Sequence, residues 1–291
     1  MNKRKNSSII NLRKFHNWIK RTQIMEAVDM LRSRGFKEIK ILDLATGKGG
    51  DLNKWSSAKV DEVYGVDIDK ESLFGKNGAL HRFNNFKKIN KNNKNIKVPF
   101  IRFKQVNLLD DNALDQVQEL VKEKKFELIT CQFAIHYFFE SQDTINNFFN
   151  IVNKFIQPNG IFLGTTLDGD RVNKMFNNGD EIKKKLLYLK MKYDLEQSVT
   201  PFGNKYLIRI GESGEDHYFK DTMSEEYLVS VDEFKRQSDK LNFVYVGTIP
   251  FEKWYVKYQQ HVDKNLYLSE AEKDPSFLNI SFYIEKLSID K

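Results

Sequence analysis

Apolar residues fall at two periods along this chain, and the alternation between them sets the expected fold. Ile24, Val28 and Leu31 recur at helical spacing, which predicts a helix from Asn17 to about Arg34, stopped at Gly35. Ile39–Leu44 is a short apolar run of strand length, and Asp51–Trp55 reads as the start of a helix. The pairing then repeats. Strand Val63–Val66 ends on Asp67 before a helix from about Lys70, and strand Phe100–Val106 precedes helix Asp115–Lys124. Strand Phe126–Thr130 precedes helix Thr144–Phe155, and a turn at Pro158-Asn159-Gly160 leads into strand Ile161–Thr165. Strands that alternate with helices pair in parallel, because each helix carries the chain back across a sheet face. The rhythm breaks at residue 167. Residues 167–226 hold a lysine-rich stretch expected to be helical and several glycine-containing turns. A helix over Phe234–Leu241 and strands Phe243–Thr248 and Ser281–Glu285 close the pattern. The prediction is an α/β fold: a doubly wound, mostly parallel seven-stranded sheet in one domain over 12–291, with 167–226 inserted after strand five. Residues 1–11 are polar, basic and expected to be loose. Lys87–Lys97, almost wholly Lys and Asn, is expected to be a solvated loop.

Composition narrows the setting. With 40% hydrophobic residues and 23 Phe, the 291-residue chain has ample material for a core, and a mean hydropathy of −0.57 describes a soluble protein. One cysteine, Cys131, excludes an internal disulfide and a Cys-rich zinc site, so no metal is expected and the compartment is expected to be reducing. No apolar stretch reaches the roughly 18 residues that cross a bilayer, and the N-terminus lacks a signal-peptide apolar region. An intracellular soluble protein with no membrane partner follows. The net charge of +7 favours polyanionic partners, although many basic enzymes never touch nucleic acid.

Chemistry concentrates first at Asp43-Leu44-Ala45-Thr46-Gly47-Lys48-Gly49-Gly50, between a strand and a helix. Glycines there permit a tight turn and close approach of backbone to a nucleotide cofactor at the carboxyl edge of the sheet. Asp67 ends the next strand 20 residues after Gly47, where a carboxylate accepts from ribose hydroxyls. The spacing is A-x-G-x-G-G, a poor cradle for pyrophosphate. Asp43 and Asp51 flank the loop, which disfavours a dinucleotide and suits the ammonium and sulfonium of S-adenosylmethionine. Asp51 also reads as a helix N-cap.

Several further strings belong together only as a set. Leu12-Arg13-Lys14-Phe15-His16-Asn17-Trp18-Ile19-Lys20, Asp43–Leu52, Cys131–Tyr137, Gly164-Thr165-Thr166, Pro201-Phe202-Gly203 and Glu226-Tyr227-Leu228-Val229 resemble, in order and spacing, the mRNA cap guanine-N7 methyltransferases. The resemblance spans about residues 12–286. Gln132–Tyr137 and Asp168-Gly169-Asp170 look closer to the viral branch. It implies a class I methyltransferase fold and methyl transfer from S-adenosylmethionine to N7 of the guanine cap of mRNA. It further implies the capped RNA 5′ end as partner, and fusion to or association with an RNA triphosphatase and guanylyltransferase. The location implied is the nucleus, or the cytoplasm for a virus. Carried over residue by residue, the resemblance puts Lys20 on the methionine carboxylate, with Asn17 nearby, Gly47 in the loop beneath and Asp51 at the methionine end. Asp67 takes the ribose, and Asp43, Asn107 and Gln132 complete the cofactor set. Phe133, His136, Tyr137, Phe202, Glu226 and Tyr283 form the cap pocket. None of these acts as acid or base, since N7 carries a free lone pair at neutral pH and the rate comes from alignment.

Taken alone, Phe133 and Tyr137 read as core aromatics, His136 as a structural histidine and Lys20 as a helix-surface charge. The chain departs from the family at three places. Ala45 replaces the first loop glycine. Asn107 stands where an aspartate accepts the adenine amino group, with Asp110 as an alternative. Asn279 aligns with a late cap-facing tyrosine, which leaves Tyr283 as the candidate for that wall. The Lys87–Lys97 and Lys183–Lys192 regions are candidates for salt-sensitive contact with the RNA body. Two other readings stay open: a methyltransferase for another RNA, protein or small molecule, which gives no reason for the pocket set, and a non-catalytic RNA-binding or stimulatory subunit, against which the intact cofactor set argues.

Overall fold

The computed structural model describes residues 7–194, 200–212 and 223–288. A seven-stranded sheet forms the centre, in the order β10 (Phe243–Pro250), β11 (Asn279–Lys286), β5 (Ile156–Leu167), β4 (Phe126–Gln132), β1 (Lys40–Leu44), β2 (Glu62–Asp67), β3 (Phe100–Gln105). Strands β3, β2, β1, β4 and β5 run parallel, while β11 pairs antiparallel with both β5 and β10. The order reverses between β1 and β4, and ligands of open α/β sheets bind at such a switch point. The residues of β1 and β4 are almost all buried, as expected for strands covered on both faces. The expected turn at Pro158-Asn159-Gly160 is a bulge within β5: Phe126 opposes Ile156, and Leu128 already opposes Ile161.

Helices cover the two faces. On one side α5 (Ala113–Val121), α6 (Gln142–Phe155) and α8 (Val231–Lys240) build a core rich in phenylalanine, with Phe148, Phe149, Phe162, Phe234 and Phe282 in mutual contact. On the other, α1 (Ile10–Ser33) and α2 (Leu52–Ser57) pack on Ile41, Val63, Leu128 and Ile161. Between α2 and β3 lie α3 (Lys70–Phe74) and α4 (Ala79–Ile89), so Lys87, Lys88 and Ile89 are helical and only the rest of the expected loop is irregular. Helix α1 is longer than its periodicity suggested. Ile9 and Leu12 are fully buried against Phe251 and Tyr255, so residues 7–11 are packed, not loose. Residues 1–6 of that expectation lie outside the described residues. Helices α9 (Phe251–Gln259) and α10 (Glu270–Ser276), between β10 and β11, complete this third cluster.

The insertion corrects one expectation. After α7 (Gly169–Met175), the lysine-rich stretch forms strands β6 (Glu181–Lys184) and β7 (Leu187–Met191), not a helix. Leu187 and Leu189 are buried while Tyr188 and Lys190 alternate outward, the period of a strand. With β8 (Lys205–Ile210) and β9 (Ser224–Tyr227) they make a four-stranded antiparallel sheet in sequence order. This sheet carries Glu226.

Candidate active site

The loop after β1 is held from below by Asp43. This residue is 3% exposed, and its carboxylate accepts hydrogen bonds from the Thr46 and Thr130 hydroxyls. Burial and the nearby Asp51 push its pKa above the usual carboxylate range, and the two hydroxyls draw it back. Asp43 therefore ties the loop to β4 through Thr46 and Thr130. Ala45, Gly47 and Gly49 all adopt left-handed backbone, at φ 60°, 54° and 64°. Ala45 takes this conformation at a cost of about 1–2 kcal/mol, where glycine would take it freely. A Cβ on Gly47 would meet nothing within 4 Å, so the space above the loop is open. The Gly47 N–H donates to Asp67 Oδ2 at 2.7 Å, and the Asp69 N–H donates to Oδ1 at 2.9 Å. The end of β2 is thereby locked to the loop. Burial raises the Asp67 pKa, which the two backbone donors oppose.

Beside the loop, Asp51 sits between two ammonium groups, Lys20 Nζ at 2.7 Å and Lys54 Nζ at 2.8 Å. Burial pushes its pKa up, but the two lysines outweigh burial and hold it below the usual range. Its side chain makes no capping hydrogen bond to α2, so the N-cap reading of Asp51 does not describe what the carboxylate does. Lys54 also donates to Asn17 Oδ1 (2.8 Å) and to the Gly50 carbonyl (3.0 Å), which brings Asn17 into the same cluster. Sequence reasoning missed Lys54. Its signal was a lysine three residues after an aspartate in a loop that the sheet buries.

Asn107 and Asp110 form one unit rather than alternatives. Asn107 Nδ2 donates to Asp110 Oδ1 at 2.6 Å, while its oxygen accepts from the Leu109 N–H. Gln132, at the end of β4, accepts from Thr165 through Oε1 at 2.8 Å. Its Nε2 is buried with no hydrogen-bond partner, and an orphaned buried donor favours a polar ligand.

A second cavity adjoins this region, about 50 Å³ in volume, bordered by His16, Phe133, His136, Leu167, Glu226 and Asn279. Phe133 has left-handed backbone, φ 56°, rare for a bulky residue. Its N–H donates to the Thr165 carbonyl at 2.9 Å, and its ring stacks on His16 at 5.3 Å and 15°. The strained residue turns β4 into the 3-10 helix Ile135–Glu140, which aims His136 inward and Tyr137 outward. Glu226 is 2% exposed, and Oε2 accepts from the Tyr206 hydroxyl at 3.0 Å. His136 Nδ1 lies 3.6 Å from the same oxygen, too long for a hydrogen bond. Burial lowers the His136 pKa more than Glu226 raises it, so the ring is neutral, and its Nε2 is unpartnered. Tyr137 packs 4.2 Å from the His136 ring and is partly exposed.

Two expected members stand elsewhere. Tyr283 packs against α1, and its hydroxyl donates to the Gln23 carbonyl at 2.9 Å, so it does not replace the late tyrosine. Asn279 itself borders the cavity, its amide donating to the Pro275 and Ser276 carbonyls. Phe202 packs on Phe139 and does not border the cavity. His16 does, and sequence reasoning gave it no role.

The strand order, the left-handed loop at the switch point and the acidic residue closing β2 are those of the class I methyltransferase fold. An S-adenosylmethionine-dependent methyltransferase from Clostridium acetobutylicum shares the fold, with TM-score 0.53 and 12% identity over 90% of this chain and 89% of that one. The chain belongs to the mRNA (guanine-N(7))-methyltransferase domain family, whose sequence model matches residues 1–275. It is 29% identical over 214 residues to the mRNA cap guanine-N(7) methyltransferase of Caenorhabditis elegans, covering 72% of this chain and 54% of that protein. It is 30% identical over 178 residues to a probable mRNA-capping enzyme of Acanthamoeba polyphaga mimivirus, covering 57% of this chain and 15% of that one. The chain spans about half the length of the first of these relatives.

Proposed function

We propose that this chain transfers a methyl group from S-adenosylmethionine to N7 of the guanine cap of mRNA. The observation that carries the reading is Glu226: a buried carboxylate, oriented by Tyr206, beside a neutral histidine in a mainly apolar cavity next to the cofactor loop. Guanine presents two adjacent donors, N1–H and the exocyclic amine, and a carboxylate accepts from both. Phe133 and Tyr137 supply aromatic faces suited to a base that becomes cationic.

The residues around the loop fit the methyl donor. Lys20 and Asp51 offer opposite charges to a zwitterionic amino acid, Asp67 offers acceptors to a ribose, and the space over Gly47 is open. The unpartnered Gln132 Nε2 is a further donor at this edge. When bound, S-adenosylmethionine supplies an electrophilic methyl on a cationic sulfur. The protein's part is positional. Glu226 and His136 fix the base edge, Phe133 fixes its plane, and no side chain needs to remove a proton. The match within a longer capping enzyme supports action beside, or fused to, a triphosphatase and guanylyltransferase. It would work in the nucleus, or in the cytoplasm for a virus; among the described residues no helix is long and apolar enough to cross a membrane.

The test is incubation with labelled S-adenosylmethionine and unmethylated GpppA-RNA, followed by identification of the methylated atom. Label on guanine N7 is expected. Label elsewhere, or none, refutes the reading.

A further inference from the structure

A groove beside the cofactor loop, about 750 Å³, runs between α1 and α2. Its cationic lining is Arg13, Lys14, Lys20, Arg21, Lys54 and Arg82, and among the described residues no carboxylate lines it. Asp51 neutralises part of this charge from beneath, through Lys20 and Lys54. The outer members stand on one stripe of α1: Ile10, Arg13, Lys14, Asn17, Trp18 and Arg21 follow the i, i+3, i+4, i+7 spacing opposite the buried stripe of Leu12, Phe15, Ile19 and Gln23. Two guanidinium groups are fixed at the rim, Arg21 by the Ser57 hydroxyl (2.7 Å) and Arg82 by the Lys48 carbonyl (2.9 Å). Phe133 lines both this groove and the small cavity that holds Glu226, so the two share a wall.

We infer that this stripe of α1 is the track for the RNA chain downstream of the cap, gripping its phosphates through Arg13, Lys14 and Arg21. The inference rests on the cap reading for its starting point, since a base seated against Phe133 feeds its attached chain into the groove. From Ile10 to Arg21 the helix rises about 16 Å, room for the first few nucleotides. Trp18, partly exposed in the same lining, gives an aromatic surface among the cations, as single-strand tracks use. The other basic regions are less suited. Lys183 and Lys184 are paired with Glu181 and Asp274, and Lys97 is paired with Asp61. Lys87, Lys91 and Lys94 border a separate recess floored by Phe83, Phe100 and Ile101.

The experiment compares the wild type with R13Q/K14Q/R21Q and with K87Q/K91Q/K94Q, which removes the same charge. Binding of a capped 12-nucleotide RNA and of the dinucleotide GpppA is measured from 50 to 200 mM salt, together with N7 methylation of each. Single-stranded RNA loses affinity with a log–log slope of about −0.7 per phosphate contact, so removing three contacts flattens the slope by about 2. The α1 variant should therefore lose about 15-fold less affinity for RNA than the wild type across that range. Its methylation of GpppA should stay within twofold of wild type. The Lys87 variant should keep the wild-type slope. An unchanged slope in the α1 variant, or equal flattening in both, overturns the track. So does poly-glutamate of matched charge competing as well as the RNA, which would assign the groove to acidic protein. Failure of the cap reading is a different result: no guanine methylation on either substrate, with the α1-dependent RNA slope intact.

Discussion

Glu226→Gln tests the base pocket at its most informative atom. The carboxylate is 2% exposed, with Oε2 committed to the Tyr206 hydroxyl at 3.0 Å. Among the described residues Oε1 has no hydrogen-bond partner, which leaves it for the substrate. An amide of the same shape has two settings. With its oxygen toward Tyr206, the NH₂ meets guanine's N1–H and amine, donor against donor. With its NH₂ toward Tyr206, that hydroxyl must give up its donation, and guanine still finds one acceptor oxygen in place of two. Either way a buried polar group goes unpaired, at about 1–3 kcal/mol, or one to two decades in kcat/KM. The assay is steady-state methylation of GpppA, with calorimetry of S-adenosylhomocysteine as control. Cofactor-product affinity should be unchanged, because Glu226 lies on the small sheet and Lys20, Asp51 and Asp67 do not. A variant that keeps more than a third of wild-type kcat/KM would show that Glu226 reads no guanine edge.

Four further outcomes are expected. Asp67→Ala should weaken S-adenosylhomocysteine binding by about 1.5–3 kcal/mol in calorimetry while leaving cap affinity unchanged; equal losses for both ligands would make Asp67 purely structural. Asp51→Asn should lower stability by about 3–5 kcal/mol in urea unfolding, since it leaves Lys20 and Lys54 buried against each other; a wild-type midpoint would contradict the ion network. His16 is buried and beside Lys20, which lowers its pKa to about 3 from the ordinary histidine value of about 6.5. The unfolded chain then binds the proton that the folded one refuses, so stability should fall as pH drops from 6.5 toward 3, by up to about 1.4 kcal/mol per pH unit. His16→Asn should flatten that slope, and an unaltered profile would refute the assignment. Ala45→Gly should stabilise the fold by about 0.5–1 kcal/mol, the relief of left-handed strain less the added chain entropy; a lower melting temperature would count against strain at Ala45.

The centre of the sheet was legible because β1 and β4 are buried on both faces, and such strands read as continuous apolar runs whatever surrounds them. The loop was legible because glycine and carboxylate spacing is local. The small sheet was not. Its first two strands are rich in lysine, which supplies the polar half of a helix pattern as readily as that of a strand, and only the burial of Leu187 and Leu189 separates the two. Tyr283 shows another limit. It shares the parity of Asn279 along β11, so it was placed on the correct face. Four residues of strand, however, carry it about 13 Å along the sheet, into contact with Gln23 rather than the cavity. His16 and Lys54 were missed for one reason: each owes its role to burial beside residues distant in the chain, Phe133 and Ser276 for the first, Asn17 for the second.

The charges of the two halves of the site complement each other on the proposed reading. Around the cofactor loop the groups are ionised and paired, with Asp51 between Lys20 and Lys54, so an amino acid bearing both charges exchanges one set of ion pairs for another. Around the base pocket the titratable groups are emptied of positive charge. Burial lowers the pKa of both His16 and His136, and neither ring is a cation at neutral pH. Methylation at N7 moves positive charge onto the base. Two imidazolium rings within that pocket would oppose the transfer at low dielectric, where such repulsion is least screened. Two neutral rings and one carboxylate instead favour a base that gains positive charge. The neutrality of the histidines is thus part of how the pocket accommodates the transition state, and burial, which any packed protein supplies, is sufficient to produce it.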